Sequence, residues 1–448
     1  MDLTTMIPQF GGFLWTVVFF IVALSIIIAI HEYGHYIVGK KSGIFPEVFS
    51  LGFGPVIWSR MDGDGTKWQI AAIPFGGYVK FRGDANASGG VDADAMEALD
   101  EDEVRHTMHG APLWARTATV AAGPVFNFIL SIAIFTGVIM YQGTTADPLT
   151  IANLKPVPGT QELREGDEIL AIAGRALPSA EDGALYNEFM ANLPQQPVLD
   201  YTVKRGGQEL TVQGPYFLLP LAGGVAPRSA SMDAGLEAGD IITHINGEPV
   251  FAFKQLQTAV EGSGGDAVAL TIWRDGEVLD KTLTPRVTDE PLADGGFRTV
   301  YRIGLASGLL FEPDTVAVGL GDSLSGAVGQ VGRIITGSVS GLWHMVTGQI
   351  STCNLSGPIG IAETSGDMAK QGTTNFLWFI GVLSTAIGLL NLFPIPALDG
   401  GHLMFYAYEA VSGRPPSDRA LQVLMSIGIT LVLAMMVFGL GNDILFCP

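Results

Sequence analysis

Two short stretches of this 448-residue chain carry side chains that can bind a metal ion and move a proton. The first is HEYGH, His31 to His35. Four residues is a little over one helical turn, so both imidazoles lie on one face of a helix, close enough for one zinc ion. Glu32 stands beside them to take a proton from bound water. The second stretch is NLFPIPALDGGH, Asn391 to His402, where Pro394 and Pro396 interrupt an apolar run and Asp399 follows the break. A catalytic zinc ion takes three protein ligands and keeps one position for water. Asp399 is the first choice for the third ligand, because a carboxylate beside a broken membrane segment needs a cationic partner and an ion on His31 and His35 provides one. His402 ranks behind it. Ionisable residues this dense in an apolar helix are costly unless paired or metal-bound, which sets HEYGH apart from a helix end with two surface histidines.

The elements that must position these residues are membrane spans. Residues 11–30 read GGFLWTVVFFIVALSIIIAI, uncharged and long enough at 1.5 Å per residue to cross about 30 Å of hydrocarbon. The run feeds directly into HEYGH and lacks the basic start and cleavage site of a signal peptide. Three further runs complete four transmembrane helices, at about 11–37, 117–141, 375–398 and 420–441. Residues 327–350 are less apolar, hold Arg333 and His344, and read as an interfacial amphipathic helix. Lys40, Lys41, Lys67, Lys80, Arg82, Arg105 and Arg116 lie between the first two spans, and Arg414 and Arg419 between the last two. Both loops are therefore expected in the cytoplasm, with both termini and the long segment after residue 142 outside.

Composition agrees. Twenty-four Lys+Arg against 44 Asp+Glu give a net charge of -20, yet only 15% of residues are charged, which describes a membrane protein with an acidic soluble part. No basic stripe exists to neutralise phosphates, so nucleic-acid binding is excluded as a reading. The glycine-rich stretches match no phosphate loop, which removes nucleotide. Cys353 and Cys447 match no metal or redox spacing. The stretch 84–102, rich in Ala, Gly and Asp, reads as a mobile loop, and His106 and His109 beyond it read as surface histidines.

Within the outer segment, LREGDEILAIAG (Leu163 to Gly174) recurs as LEAGDIITHING (Leu236 to Gly247) at a constant offset of 73 residues. A constant offset marks a duplicated module. Each copy continues into a helix and an alternating hairpin. The pattern resembles the bacterial PDZ domain, which implies a groove between an edge strand and a helix that takes an extended peptide. On the inner side, residues 48–82 hold two apolar alternations around the polar turn 61–67. Two such strands form a hairpin or small sheet beside HEYGH whose edge is free to pair with a substrate backbone. A cytoplasmic hairpin that merely covers the site is the plainer alternative.

With these residues in view, the chain resembles the site-2 protease family of intramembrane zinc metalloproteases, most closely its bacterial regulator-of-sigma-E protease branch. The likeness runs nearly end to end: HEYGH, then Gly123-Pro124 and Asn127 in the second span, the tandem PDZ modules, Ser356-Gly-Pro-Ile-Gly360, and NLFPIPALDGG. It implies a membrane α-helical fold with four transmembrane helices, a membrane-associated β element and two extracytoplasmic PDZ domains. The boundaries expected are 1–141 for the first half of the core, 142–220 and 221–292 for the PDZ domains, 293–374 for linker and amphipathic helices, and 375–448 for the second half. It implies one zinc ion on His31, His35 and Asp399, Glu32 as general base, and Asn391 near the scissile peptide. Asn127, Gly76, Gly77, Tyr78, Pro394 and Pro396 are the residues expected to position substrate. Expected partners are single-pass membrane proteins such as anti-sigma factors, or signal-peptide remnants, in an inner membrane with the active site toward the cytoplasm. Oligomeric state is not legible. A silent PDZ scaffold and a transporter are the rival readings; the latter needs a second broken helix, and none is found.

Overall fold

The computed structural model describes residues 7–85, 92, 96–159, 161–179, 182–292 and 296–446. Of the expected mobile loop 84–102, residues 86–91 and 93–95 lie outside the described residues. The chain divides into two compact units, one of residues 1–138, 320–346 and 355–448, the other of 139–319 and 347–354.

The first unit is helical apart from one β element. Its longer helices are α1 (Ile7–Lys41), α2 (Leu113–Gln142), α3 (Leu320–Val346), α4 (Pro358–Lys370), α5 (Thr373–Leu392), α6 (Asp399–Ser412) and α7 (Asp418–Gly441). Among the described residues, four segments are long and apolar enough to cross a membrane: Gly12–Lys41, Leu113–Gln142, Thr373–Leu392 and Arg419–Leu445. Phe13, Leu14 and Val18 on α1 and Val423, Ile427 and Val437 on α7 are exposed, as suits helices whose solvent is lipid. The third span ends earlier than the expected residue 398. Phe393 is already extended, because a residue ahead of proline is driven out of the helical region. The chain then turns through Pro394 and Pro396 and restarts as α6 at Asp399. The amphipathic helix α3 begins seven residues before the expected 327.

These helices approach closely because glycines stand at their contacts. A methyl group on Gly34 would lie 2.6 Å from the Ala122 carbonyl oxygen of α2, and one on Gly381 of α5 would lie 2.7 Å from the Phe135 ring of α2. Small residues at such points let apolar helices gain contact without a hydrophobic driving force between them. Around these contacts Ala23 and Ile27 of α1 pack on Phe376, Ile380 and Leu383 of α5. Two hydroxyls add cross-helix bonds: Ser131 Oγ donates to the Gly381 carbonyl (2.8 Å), and Ser384 Oγ to the Asn127 carbonyl (2.9 Å). The first turn of α4 is capped from far along the chain, since the Asp443 carboxylate accepts from the backbone N–H groups of Gly357 (3.0 Å), Ile359 (3.1 Å) and Gly360 (3.1 Å).

The β element is built from β1 (Pro46–Met61) and β2 (Lys67–Phe81), joined at the expected polar turn. It is more folded than a plain hairpin. β1 bends at Gly52 and Gly54, both with positive φ, and β2 bends near Pro74 and Gly76. Residues 48–51 consequently pair on one side with 77–80 and on the other with 67–70, while 56–61 pair with 67–71. Gly77–Phe81 is left as an outer strand.

The second unit contains the two repeated modules. Each holds a four-stranded antiparallel sheet of the same order: Arg175–Ala176, Glu168–Ile172, Val198–Arg205, Gln208–Pro215 in one, and Glu248–Pro249, Ile241–Ile245, Val268–Arg274, Glu277–Leu283 in the other. The stretch after residue 292 does more than link. Leu305–Ser307 pairs with Ala222–Val225 of the second module, and Phe311–Pro313 returns to Ile151–Leu154 of the first. The Gly-Asp of the repeat now has a physical reason. Asp167 accepts from the Arg164 N–H and holds Arg205 in two bonds of 2.7 Å, and Asp240 likewise accepts from the Glu237 N–H and holds Arg274 at 2.6 and 2.8 Å. Both carboxylates are fully buried. Each therefore ties a turn to the end of a strand about 35 residues later through a charge-assisted fork.

Replacing Arg274 by Met strands the buried Asp240 charge. The expected loss is about 3 kcal/mol, read as a lower urea midpoint for proteolytic opening of this unit in the purified full-length chain; an unchanged midpoint refutes the account.

Candidate metal centre

Three side chains from two helices meet at one point. His31 Nε2 lies 3.2 Å from His35 Nε2 and 3.2 Å from Asp399 Oδ2, and His35 Nε2 lies 3.5 Å from that same oxygen. A zinc ion with ligands at about 2.0–2.2 Å in tetrahedral geometry needs its ligand atoms about 3.3 Å apart. The three atoms already stand at the edges of such a site. Asp399 Oδ2 is buried with only the two imidazole nitrogens beside it, a place that a cation would satisfy. Among the described residues this is the one group of three or more His, Cys, Asp or Glu placed to hold a metal ion. Of the two candidates for the third ligand, the group takes Asp399. His402 sits one turn further along α6, edge-on to Phe405 with ring centroids 6.0 Å apart.

Each ligand is aimed by its local structure. His31 and His35 share a face of α1 by the expected spacing. Asp399 is the first residue of α6, and the break that delivers it is held by near contacts of backbone on backbone. A side chain on Gly400 would overlap the Phe393 carbonyl oxygen, one on Gly401 would lie 2.5 Å from that of Ile395, and one on Gly428 of α7 would overlap the Pro396 carbonyl oxygen. α6 is also fastened to α2. Arg116 grips Glu409 through two bonds of 2.7 and 3.0 Å and lies over the Tyr406 ring.

α2 forms the other wall. Pro124 interrupts its backbone ladder, and on the preceding turn the Thr119 carbonyl lies 2.8 Å from His35 Nδ1. Gly123 is packed against both imidazoles, so that a methyl group there would overlap His35 Nε2. Asn127 is fully buried, with its side-chain nitrogen 3.2 Å from His31 Nδ1. Glu32, next to the first ligand, lies beside the backbone of Val79 on the outer strand. A side chain on Gly77 would come within 3.0 Å of Glu32 Cγ. Gly76 packs under the Phe53 ring, and the Tyr78 hydroxyl accepts from Gln69 Nε2 at 3.1 Å.

Of the expected substrate-positioning residues, the structure thus brings Gly77 and Asn127 directly against site side chains. Pro394 and Pro396 lie in the break, and Asn391 occupies the last turn of α5, where it makes no hydrogen bond to the three ligands among the described residues. His106 is exposed, as expected, and His109 is half-buried; both have a polar partner. His106 Nδ1 bonds the Gly43 carbonyl at 2.7 Å, and His109 lies 3.2 Å from the buried carboxylate of Asp84. The Thr119 carbonyl and the Arg116–Glu409 clasp were missed by sequence reasoning. A backbone carbonyl has no residue signature, and the clasp joins positions 293 apart.

Comparison with known proteins gives the same picture over the whole chain. Residues 19–435 match the model of peptidase family M50. A protein of Agrobacterium fabrum whose name carries the words zinc metalloprotease is 33% identical over 445 residues, covering 99% of each chain. A similarly named protein of Rhizobium meliloti is 34% identical over 434 residues and 96% of each. The regulator of sigma-E protease RseP of Escherichia coli is 32% identical over 468 aligned positions, covering 96% of this chain and 99% of that one.

Gly123→Ala is expected to weaken metal retention at least about 10-fold, the scale seen when groups supporting metal ligands are disturbed, as measured by zinc content after dialysis against graded chelators. Gly137→Ala on the same helix, where a methyl meets nothing within 4 Å, is the matched control and retains wild-type content.

Proposed function

The chain belongs to peptidase family M50 and is a membrane metalloendopeptidase, and from that premise we propose that it uses one zinc ion to cut single-pass membrane proteins within or beside their spans. The observation that carries the reading is the meeting of two imidazole nitrogens and one carboxylate oxygen at tetrahedral separations on helices of membrane-spanning length. Two imidazoles and a carboxylate suit zinc among the divalent ions.

A zinc ion held by His31, His35 and Asp399 would lower the pKa of a bound water toward neutrality and polarise the scissile carbonyl. Everything else falls to the chain. Glu32 accepts the proton of the attacking water on a carboxylate oxygen and returns it to the leaving amine nitrogen. Asn391 donates to a substrate oxygen near the cut. A helical substrate hides its carbonyls in backbone bonds, so it must be drawn out before attack. The strand Gly77–Phe81 is suited to that task, since one edge is paired with Pro46–Leu51 and the other runs beside Glu32. A substrate segment added to this edge lies extended next to the base. Gly76, Gly77 and Tyr78 shape the strand, and Pro394 and Pro396 shape the opposite wall. The exposed apolar residues of the sheet, among them Phe53, Ile57, Trp58, Ile73 and Phe75, support a location at the membrane surface rather than in water.

The second unit is proposed to lie outside an inner membrane as two PDZ domains that admit only substrates without a bulky outer domain. The basic residues of the inner loops support this orientation. The substrates that fit are regulatory single-span proteins already trimmed outside, of the anti-sigma-factor kind, and signal-peptide remnants.

The test is cleavage of a tagged single-span substrate with a short outer segment by the purified protein in liposomes. Glu32→Gln is expected to lower the rate about 10²–10⁴-fold while zinc content stays at the wild-type level. Cleavage by Glu32→Gln at the wild-type rate sinks the assignment of the base, and no cleavage by zinc-loaded wild type across several unrelated spans sinks the proposed substrate class.

A further inference from the structure

The carboxamide of Asn127 meets His31 in an orientation that a metal ion on Nε2 would reverse. His31 and His35 turn their Nε2 atoms toward each other and toward Asp399, so Nε2 is the ligand atom of each ring. A neutral imidazole that gives the Nε2 lone pair to a metal carries its proton on Nδ1, and that N–H needs an acceptor. For His35 the acceptor is present as the Thr119 carbonyl at 2.8 Å. For His31 the neighbouring atom is Asn127 Nδ2 at 3.2 Å, a donor facing what must be a donor. Meanwhile Asn127 Oδ1 is buried without any partner. Oxygen and nitrogen of a side-chain amide are interchangeable by a half-turn, and the hydrogen-bond network decides between them. Turning this amide breaks no bond on the oxygen side and gives His31 Nδ1–H its acceptor.

Resting on the metal reading above, we infer that Asn127 is a positioning residue of the metal site: its Oδ1 accepts from His31 Nδ1–H and fixes the tautomer and ring angle of that ligand. The carboxamide thus serves the ion rather than a substrate oxygen. The surroundings are built to hold it still. The backbone carbonyl of Asn127 accepts from Ser384 Oγ at 2.9 Å, and Gly388 of α5 leaves only 3.1 Å between a methyl there and Asn127 Cβ. The side chain has no exposed surface. α2 therefore supplies both outer-sphere acceptors, a main-chain carbonyl for one histidine and a side-chain amide for the other.

The experiment compares wild type, Asn127→Asp and Asn127→Leu, each as full-length protein in detergent, by zinc competition against a chromogenic chelator and by the visible spectrum of the cobalt-substituted site. Asp keeps an acceptor and loses the NH2 group; Leu keeps the volume and loses both. The expected result is a zinc affinity for Asn127→Asp at least equal to wild type, an affinity for Asn127→Leu lowered about 10–100-fold, and a cobalt spectrum altered only in Leu. Should Asn127→Leu fail to fold, Asn127→Asp decides alone. Retained affinity with retained cleavage supports the assignment, and retained affinity with cleavage lost overturns it in favour of a donor to substrate. An Asn127→Leu protein that binds zinc as wild type does also overturns it. Wild type that takes up neither zinc nor cobalt overturns the metal reading itself, an outcome separate from the others.

Discussion

One constraint organises the first unit: two imidazoles and a carboxylate must share a point at the depth of apolar helices, where none of them can be left to water. Asp399 Oδ2 is buried and the two Nε2 atoms face it. Such an arrangement persists only if the surrounding helices forbid the side chains from swinging out to better solvent. The backbone does this by coming close. Gly34 seats α1 on α2, Gly123 seats α2 on the histidine pair, and Gly428 seats α7 on the proline break. Each glycine is an atom's width of clearance, and each borders either a ligand or the segment that delivers one.

The break before α6 follows from the same constraint. A continuous helix through residues 393–398 would fix Asp399 by helical phase alone. Two prolines end the helix and let α6 start afresh, so the carboxylate is placed by the turn and by the Arg116–Glu409 clasp. A partly buried bidentate pair of this type is worth more as geometry than as stability, because the desolvation of both ions offsets much of their attraction. The second unit uses the fork differently. There the buried Asp167 and Asp240 fasten a turn to a strand within a single module, and the duplication has kept the device twice.

Much of this was legible in the sequence. HEYGH, the break and Asp399 were readable because ionisable residues in apolar runs are expensive, and the four spans because hydropathy is local. The repeat was readable from its constant offset. What escaped was non-local or written in backbone. Nothing in Leu305–Ser307 or Phe311–Pro313 announces that these short strands pair with residues about 80 and 160 positions earlier. The bends at Gly52 and near Gly76 turn two strands into a folded sheet, and glycine alone does not tell a bend from a flexible loop. α6 escaped because the amphipathic signal of Asp399–Ser412 is short and follows directly on two prolines. Asn127 was legible as a polar residue inside a span, but its partner on α1 was not.

The cap on α4 sets an order of assembly. The N–H groups of Gly357, Ile359 and Gly360 find their acceptor in Asp443, more than eighty residues downstream. A ribosome delivers residue 357 first, and the fourth span must be made and inserted before Asp443 can arrive. During that interval the first turn of α4 has unanswered donors and the contact of Gly357 with Gly439 does not exist. The third span, which follows α4 and carries the approach to Asp399, is thus seated on a support completed only by a later segment. A nascent chain therefore holds His31, Glu32 and His35 long before the support beneath Asp399 is complete.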